Sequence, residues 1–237
     1  MIFAVFFSAL AAGLVQGVTG FGAGIVMMMF FPYFFALAQA AGVSVAIAVI
    51  LCAMMFIKYR EYVDLKKIIG PSVLYLAICS IMISFSTGLD QALMKKIFGI
   101  FLVILAVYYL FLNKGTSKKE LSLPVSLFCV AVSATCDAWF GIGGPLMVLY
   151  FLTKTNDTKE YLGTIQTFFM INCIWNTGLR FIRGILTVSH IPMIAVGMAG
   201  IVIGGILANK LVDKLNADLL KKLTYVMIGI SGLVNLL

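Results

Sequence analysis

Two glycine-rich stretches interrupt apolar sequence at matching places in the chain. The first is Gly17-Val18-Thr19-Gly20-Phe21-Gly22-Ala23-Gly24, and the second is Asp137-Ala138-Trp139-Phe140-Gly141-Ile142-Gly143-Gly144-Pro145. Each contains Phe-Gly-x-Gly, and the two copies lie 119 residues apart. Glycine frees the backbone and weakens a helix. A repeated helix break deep in apolar sequence therefore points to a backbone-built site used twice.

The surrounding chain restricts where such breaks can sit. Of its 237 residues, 62% are hydrophobic and 11% charged, against roughly 25% charged in soluble domains. Composition therefore predicts an all-α polytopic membrane protein. The five cysteines form no Cys-x-x-Cys pair and there is a single histidine. A disulfide framework, a metal site and a catalytic centre are not expected, nor is an enzyme. The net charge of +8 comes from Lys and Arg in short loops between apolar segments. It is read as a topology signal, not as a nucleic-acid surface. The segment at the start lacks a positive n-region and has an internal counterpart at 123–139, so it is read as mature structure.

Apolar segments fall near 2–18, 21–36, 40–57, 68–86 and 96–112, then 123–139, 143–152, 161–179, 191–208 and 219–237. The last five repeat the first five. Leu89-Asp90-Gln91-Ala92-Leu93-Met94-Lys95-Lys96 matches Leu215-Asn216-Ala217-Asp218-Leu219-Leu220-Lys221-Lys222, with Asp90 and Asn216 as helix N-caps. Arg60 aligns with Arg183 and Pro71 with Pro192. The predicted division is a first repeat over 1–112, a cytoplasmic linker over 113–122 and a second repeat over 123–237.

Charge decides how the glycine stretches meet the membrane. If each is the tip of a hairpin, loops 58–67, 113–120, 153–160 and 209–222 share one side and hold 13 Lys and Arg, against 4 opposite. If each stretch crosses once, the split is 9 against 8. The positive-inside rule selects hairpins. Both termini then face outside, and the repeats are inverted. Each repeat is expected to be a short Gly-interrupted, re-entrant helix hairpin with arms of about 10–17 residues, below the ~20 needed to span, plus three transmembrane helices. Inverted repeats with broken helices meeting near the midplane are the plan of many secondary transporters.

Helices starting after the two loops point unpaired N–H groups and a positive dipole end at a common space, which suits an anion. The backbone candidates are Gly20, Phe21, Gly22, Ala23 and Gly24 in the first loop, and Phe140, Gly141, Gly143, Gly144 and Pro145 in the second. Pro145 suits a first helical turn. Gly197, Gly200, Gly204 and Gly205 are assigned to close helix packing. Asp137 is the one deep carboxylate. It is a candidate for carrying a coupling H⁺, for binding Na⁺, or for capping the loop. Its repeat mate in the Phe-Gly-x-Gly register is Val18. Asn172, Asn176, Arg180 and Arg183 form one helix face, whose first-repeat counterparts are mostly apolar. The asparagines can bond substrate oxygens or neighbouring helices, and Arg180 can attract an anion from outside or anchor the interface. Gln16 and Thr19 are further candidates, as are Gln166 and Thr167; Thr135 and Cys136 match the first pair loosely.

These residues carry a resemblance. Gly13-Leu14-Val15-Gln16-Gly17-Val18-Thr19-Gly20-Phe21-Gly22-Ala23-Gly24 with Pro32, Phe140-Gly141-Ile142-Gly143-Gly144-Pro145 with Tyr150, and Arg183-Gly184-Ile185-Leu186 resemble the sulfite exporter TauE/SafE-like permease family. The resemblance covers nearly the whole chain. It implies a bacterial or archaeal cytoplasmic membrane and a small sulfur-containing anion, such as sulfite or an organosulfonate, as substrate. Ala23 departs from the fuller glycine form of the first motif. The expectation is an alternating-access permease embedded in the lipid bilayer, with no cofactor beyond H⁺ or Na⁺ and a homo-oligomer as one possible state. The competing readings are an anion channel and a permease for a carboxylate.

Overall fold

A computed structural model describes residues 1–86, 88, 90–108, 121–211, 226, 229 and 233. The 113–120 stretch of the predicted linker, the Asn216 cap and most of the 219–237 segment lie outside the described residues.

Among the described residues the structure is all-helical. The helices are α1 (Ile2–Thr19), α2 (Ala23–Met28), α3 (Leu37–Tyr59), α4 (Leu65–Ser86), α5 (Gln91–Val107), α6 (Leu123–Phe140), α7 (Gly144–Lys154), α8 (Thr158–Ile182) and α9 (Ile191–Leu211). Five of them, α1, α3, α4, α6 and α9, are long and apolar enough to cross a membrane. Helix α8 has the length, at 25 residues, but is too polar to join that set. Exposed Ile69, Val73, Ile81 and Phe85 on α4, with Leu127 and Phe128 on α6, give the bundle an apolar exterior suited to lipid. Asp90 caps α5 as expected, accepting from the Ala92 amide at 3.1 Å.

Both glycine stretches do break a helix. Helix α1 ends at Gly20 (φ 82°) and α6 ends at Gly141 (φ 65°), each in the left-handed region that glycine enters without strain. The Gly20 amide returns to the Gln16 carbonyl at 2.7 Å and the Gly141 amide to the Asp137 carbonyl at 2.9 Å. Helices α2 and α7 restart after Gly22 and Gly143. The shared caps move the repeat register by two residues from the Phe-Gly-x-Gly match. The mate of Asp137 is therefore Gln16, not Val18. The cap geometry sets the correspondence, and the phenylalanines fall at different points of the two turns.

The first arms run one residue past the expected 2–18 and 123–139, and the departure is in α2, far shorter than the expected 21–36. The first arms are 18 residues each, about 27 Å at 1.5 Å per residue, whereas α2 has 6 residues and α7 has 11. Only the returning arms are short.

Packing is symmetric under exchange of the halves. Helix α1 packs on α9 and α6 on α4; α3 packs on α9 and α8 on α4; α3 and α8 pack on each other. The α1–α9 seam runs on small residues. A Cβ on Gly200 would meet the Phe6 carbonyl, one on Gly204 the Leu10 carbonyl, and one on Gly13 the Ile201 carbonyl. Backbones approach that closely only over small residues. Helices α3 and α8 are antiparallel: Arg180 reaches the Ala38 carbonyl, and a Cβ on Gly163 would meet the Tyr59 carbonyl. At one end of the bundle two basic loops gather with the end of α9. Lys67 pairs with Glu160, Lys58 bonds Asn209 at 2.7 Å, and Lys159 lies over the Tyr62 ring.

Candidate functional site

Helix α8 is the rod on which both glycine tips are hung. Gln166 gives its amide N–H to the Gly20 carbonyl at the end of α1. Fourteen residues on, Arg180 holds the end of α6, donating to the Ala138 carbonyl at 2.7 Å and the Asp137 carbonyl at 3.3 Å. It also donates to the Ala38 carbonyl at 2.9 Å. The two attachment points are about 21 Å apart along the helix. The tips thus overlap in depth, and they touch: a Cβ on Gly24 would run into the Gly141 carbonyl oxygen. Gly141 in turn lies against Ala41 of α3.

Between the tips lies a cavity of about 60 Å³, room for about four waters or one small oxyanion. From the first hairpin it is bordered by Gln16, Gly22, Gly24 and Ile25, and from the second by Asp137, Gly141, Ile142, Gly143 and Gly144. Ser44, Val45, Ala48 and Cys52 of α3, Tyr75 of α4, and Phe169, Asn172 and Cys173 of α8 complete the wall. No Lys, Arg or His is among these lining residues.

The structure thus brings eight of the sequence candidates to one space: Gln16, Gly22, Gly24, Asp137, Gly141, Gly143, Gly144 and Asn172. The others are spent on holding the tips. Thr19 turns its hydroxyl to the Val15 and Phe21 carbonyls, 2.8 and 2.7 Å away. Phe140 packs on Phe98 and Phe101 of α5. Thr167 bonds back to Gly163 and Thr135 to Ala131. Gly20, Phe21, Ala23 and Pro145 belong to the turns beside the cavity but not to its wall. Asn176 stands behind Asp137 and donates to its carboxylate at 2.7 Å. Arg180 needs a correction. It is fully buried and faces no solvent. Its two terminal nitrogens serve three backbone carbonyls, so it caps the end of α6 and is not a lure for anions outside.

Gln16 is partly committed as well. Its Oε1 accepts from the Ala23 amide at 3.1 Å, taking the first N–H of α2, and its Nε2 donates to Gln166 at 3.3 Å and Cys52 at 3.6 Å. On the other side Tyr75 fixes α7. Its hydroxyl lies within 3.4 Å of the Ser133 carbonyl and beside Asp137. Ser133 donates to the Gly143 carbonyl. Tyr75 and Asp137 crowd Gly143, whose missing Cβ leaves space for the Tyr75 hydroxyl. Ser44, Cys52, Tyr75 and Cys173 were not expected. Serine, cysteine and tyrosine are ordinary in apolar helices, and only their position against the tips sets these apart.

Residues 5–234 match the family model described as sulfite exporter TauE/SafE. The chain belongs to this family. It is also 26% identical over 156 residues to a probable membrane transporter protein of Methanocaldococcus jannaschii, a match covering 59% of this chain and 57% of that protein. No solved structure matches. Membership of the TauE/SafE family and the five apolar helices make the chain a multi-pass membrane protein. The cavity lies where its two halves meet.

Proposed function

We propose that this TauE/SafE-family chain is a secondary permease for small sulfur-containing anions, sulfite or an organosulfonate. It holds the anion between the two glycine tips and releases it by alternating access. The observation that carries this reading is the contact of Gly24 with the Gly141 carbonyl, which puts one helix restart from each half at the same cavity. The first turns of α2 and α7 carry amides with no intrahelical partner. Of these, Gly24 and Gly144 border the cavity. The hydroxyl of Ser44 adds a donor. A site built of dipoles without a cationic side chain binds an anion weakly enough to let it go. The cavity volume suits one sulfonate-sized group.

The symmetric packing and the antiparallel α3–α8 pair support two inverted halves rocking about the shared site. The gathering of loops 58–67 and 153–160 with Asn209 supports the charge-based topology, with both termini outside. A negative cell interior favours export by about 2.3 kcal/mol per charge per 100 mV, so export needs no coupling ion. Uptake does.

Counterflow of ³⁵S-labelled sulfite in proteoliposomes tests the reading. Saturable uptake driven by unlabelled internal sulfite or sulfonate is expected. Flux that rises linearly with concentration and shows no counterflow would mark a channel. Counterflow with carboxylates alone would move the substrate to another class.

A further inference from the structure

Three acceptor oxygens around the cavity have no donor. Asn172 gives its amide NH₂ to the Phe168 carbonyl at 2.7 Å, and Asn176 gives its NH₂ to the Asp137 carboxylate at 2.7 Å. These bonds fix which end of each side chain is oxygen. Both Oδ1 atoms are then left without a partner, and Ser44 Oγ is too. All three residues are almost wholly buried. Asn172 and Ser44 border the cavity together with Asp137. Buried polar atoms are normally satisfied, and an exception at a cavity is accounted for by an ordered water, an ion or another ligand. An oxyanion cannot fill this need at the two asparagine oxygens, because it also brings only acceptors; Ser44 can donate its hydroxyl hydrogen while its lone pairs face a cation.

We propose that the Asp137 end of the cavity is a Na⁺ site, with the Asp137 carboxylate, Asn172 Oδ1 and Ser44 Oγ as ligands. The ligands are hard oxygens, as an alkali cation requires. They come from α6, α8 and α3, and so from both halves of the chain. The cavity has room for the waters that complete the shell. One carboxylate borders the site, whereas divalent cations are held by richer carboxylate sets. The Arg180 guanidinium lies outside the cavity wall, on the Ala38, Asp137 and Ala138 carbonyls. The other titratable groups around Asp137 are Tyr75 and Cys79 of α4, Cys173 of α8 and Cys136 on its own helix. None adds a second carboxylate. A bound Na⁺ also removes the repulsion between Asp137 and an anion at the tips. That coupling role rests on the permease reading; the site itself does not.

The test is thermal unfolding of the purified chain in detergent, at fixed pH and ionic strength, in gluconate salts without any transported anion. Replacing N-methylglucamine with Na⁺ is expected to raise the midpoint saturably, and ²²Na⁺ binding to approach one per chain. Asp137→Asn abolishes the effect. Asn172→Leu and Ser44→Ala weaken it at least about tenfold, Ser44→Ala being the variant that disturbs packing least. Equal midpoints in Na⁺ and N-methylglucamine would overturn the proposal. So would a Na⁺ effect that survives both Asp137→Asn and Ser44→Ala. Stabilisation by acid alone, lost in Asp137→Asn, would make this a proton site and also overturn it. Na⁺ binding without anion counterflow would keep the site and sink the permease reading instead.

Discussion

Gly143 accepts no side chain, because the Tyr75 hydroxyl and Asp137 Cβ already fill the space a Cβ would take. Gly143→Ala is expected to cost about 1–3 kcal/mol, as overpacking does, and to remove anion binding by displacing the start of α7. Tyr75→Phe deletes the hydroxyl, so the double variant should unfold at a higher temperature than Gly143→Ala alone. A double variant no better than the single one would place the strain elsewhere. Arg180→Lys is expected to cost about 2–3 kcal/mol, since one ammonium cannot serve the Ala38, Asp137 and Ala138 carbonyls together. Its readout is the unfolding midpoint, and an unchanged midpoint would contradict the capping role. Single residues were legible where they were out of place. Asp137 and the asparagines stood out because charge and amide groups are costly in apolar helices. Gln16 was legible as polar but not as the mate of Asp137, because the glycine motif hid the cap-to-cap register. Ser44 and Tyr75 gave no signal, since nothing in their neighbours marks which helix face meets the tips.

Helices α1 and α9 are joined through backbone-to-backbone approach. Gly204→Val puts a branched side chain against the Leu10 carbonyl and is expected to cost about 1–3 kcal/mol. Gly178→Ala on α8 meets nothing within 4 Å and should be neutral or gain up to about 1 kcal/mol in helix propensity. Thermal unfolding of the two variants side by side checks this. Equal effects would mean that the seam is not a close contact. The elements were legible because apolar runs bounded by Arg60, Asp90 and Arg183 mark helix ends directly. The length of α2 was not. The apolar run 21–36 reads as one arm, yet the helix stops at Met28 after six residues.

The whole molecule is a pair of halves clasped around one small cavity, with α8 carrying the polar contacts for both tips. The proposed orientation in the membrane rests on the charge of the basic loops and is testable. In a cysteine-free background, Val188→Cys should be labelled on intact cells by a membrane-impermeant maleimide, whereas Lys159→Cys should be labelled only after permeabilisation. The reverse pattern would invert the assigned orientation. The class of fold was legible from composition, and the two helix breaks from the doubled glycine stretches. The position of the cavity was not, because it depends on two tips meeting across 119 residues of sequence. The central claim is that a small sulfur-containing anion occupies the space between those tips. Thermal unfolding against sulfite, sulfate, thiosulfate, taurine, sulfoacetate and carboxylates measures this most directly. A ligand at a hundred times its dissociation constant adds about 2.7 kcal/mol. The account predicts a saturable rise with a subset of the sulfur anions, and its loss in Ala48→Leu, which fills the cavity wall. The absence of a rise with any anion, or a rise that Ala48→Leu leaves intact, would contradict it.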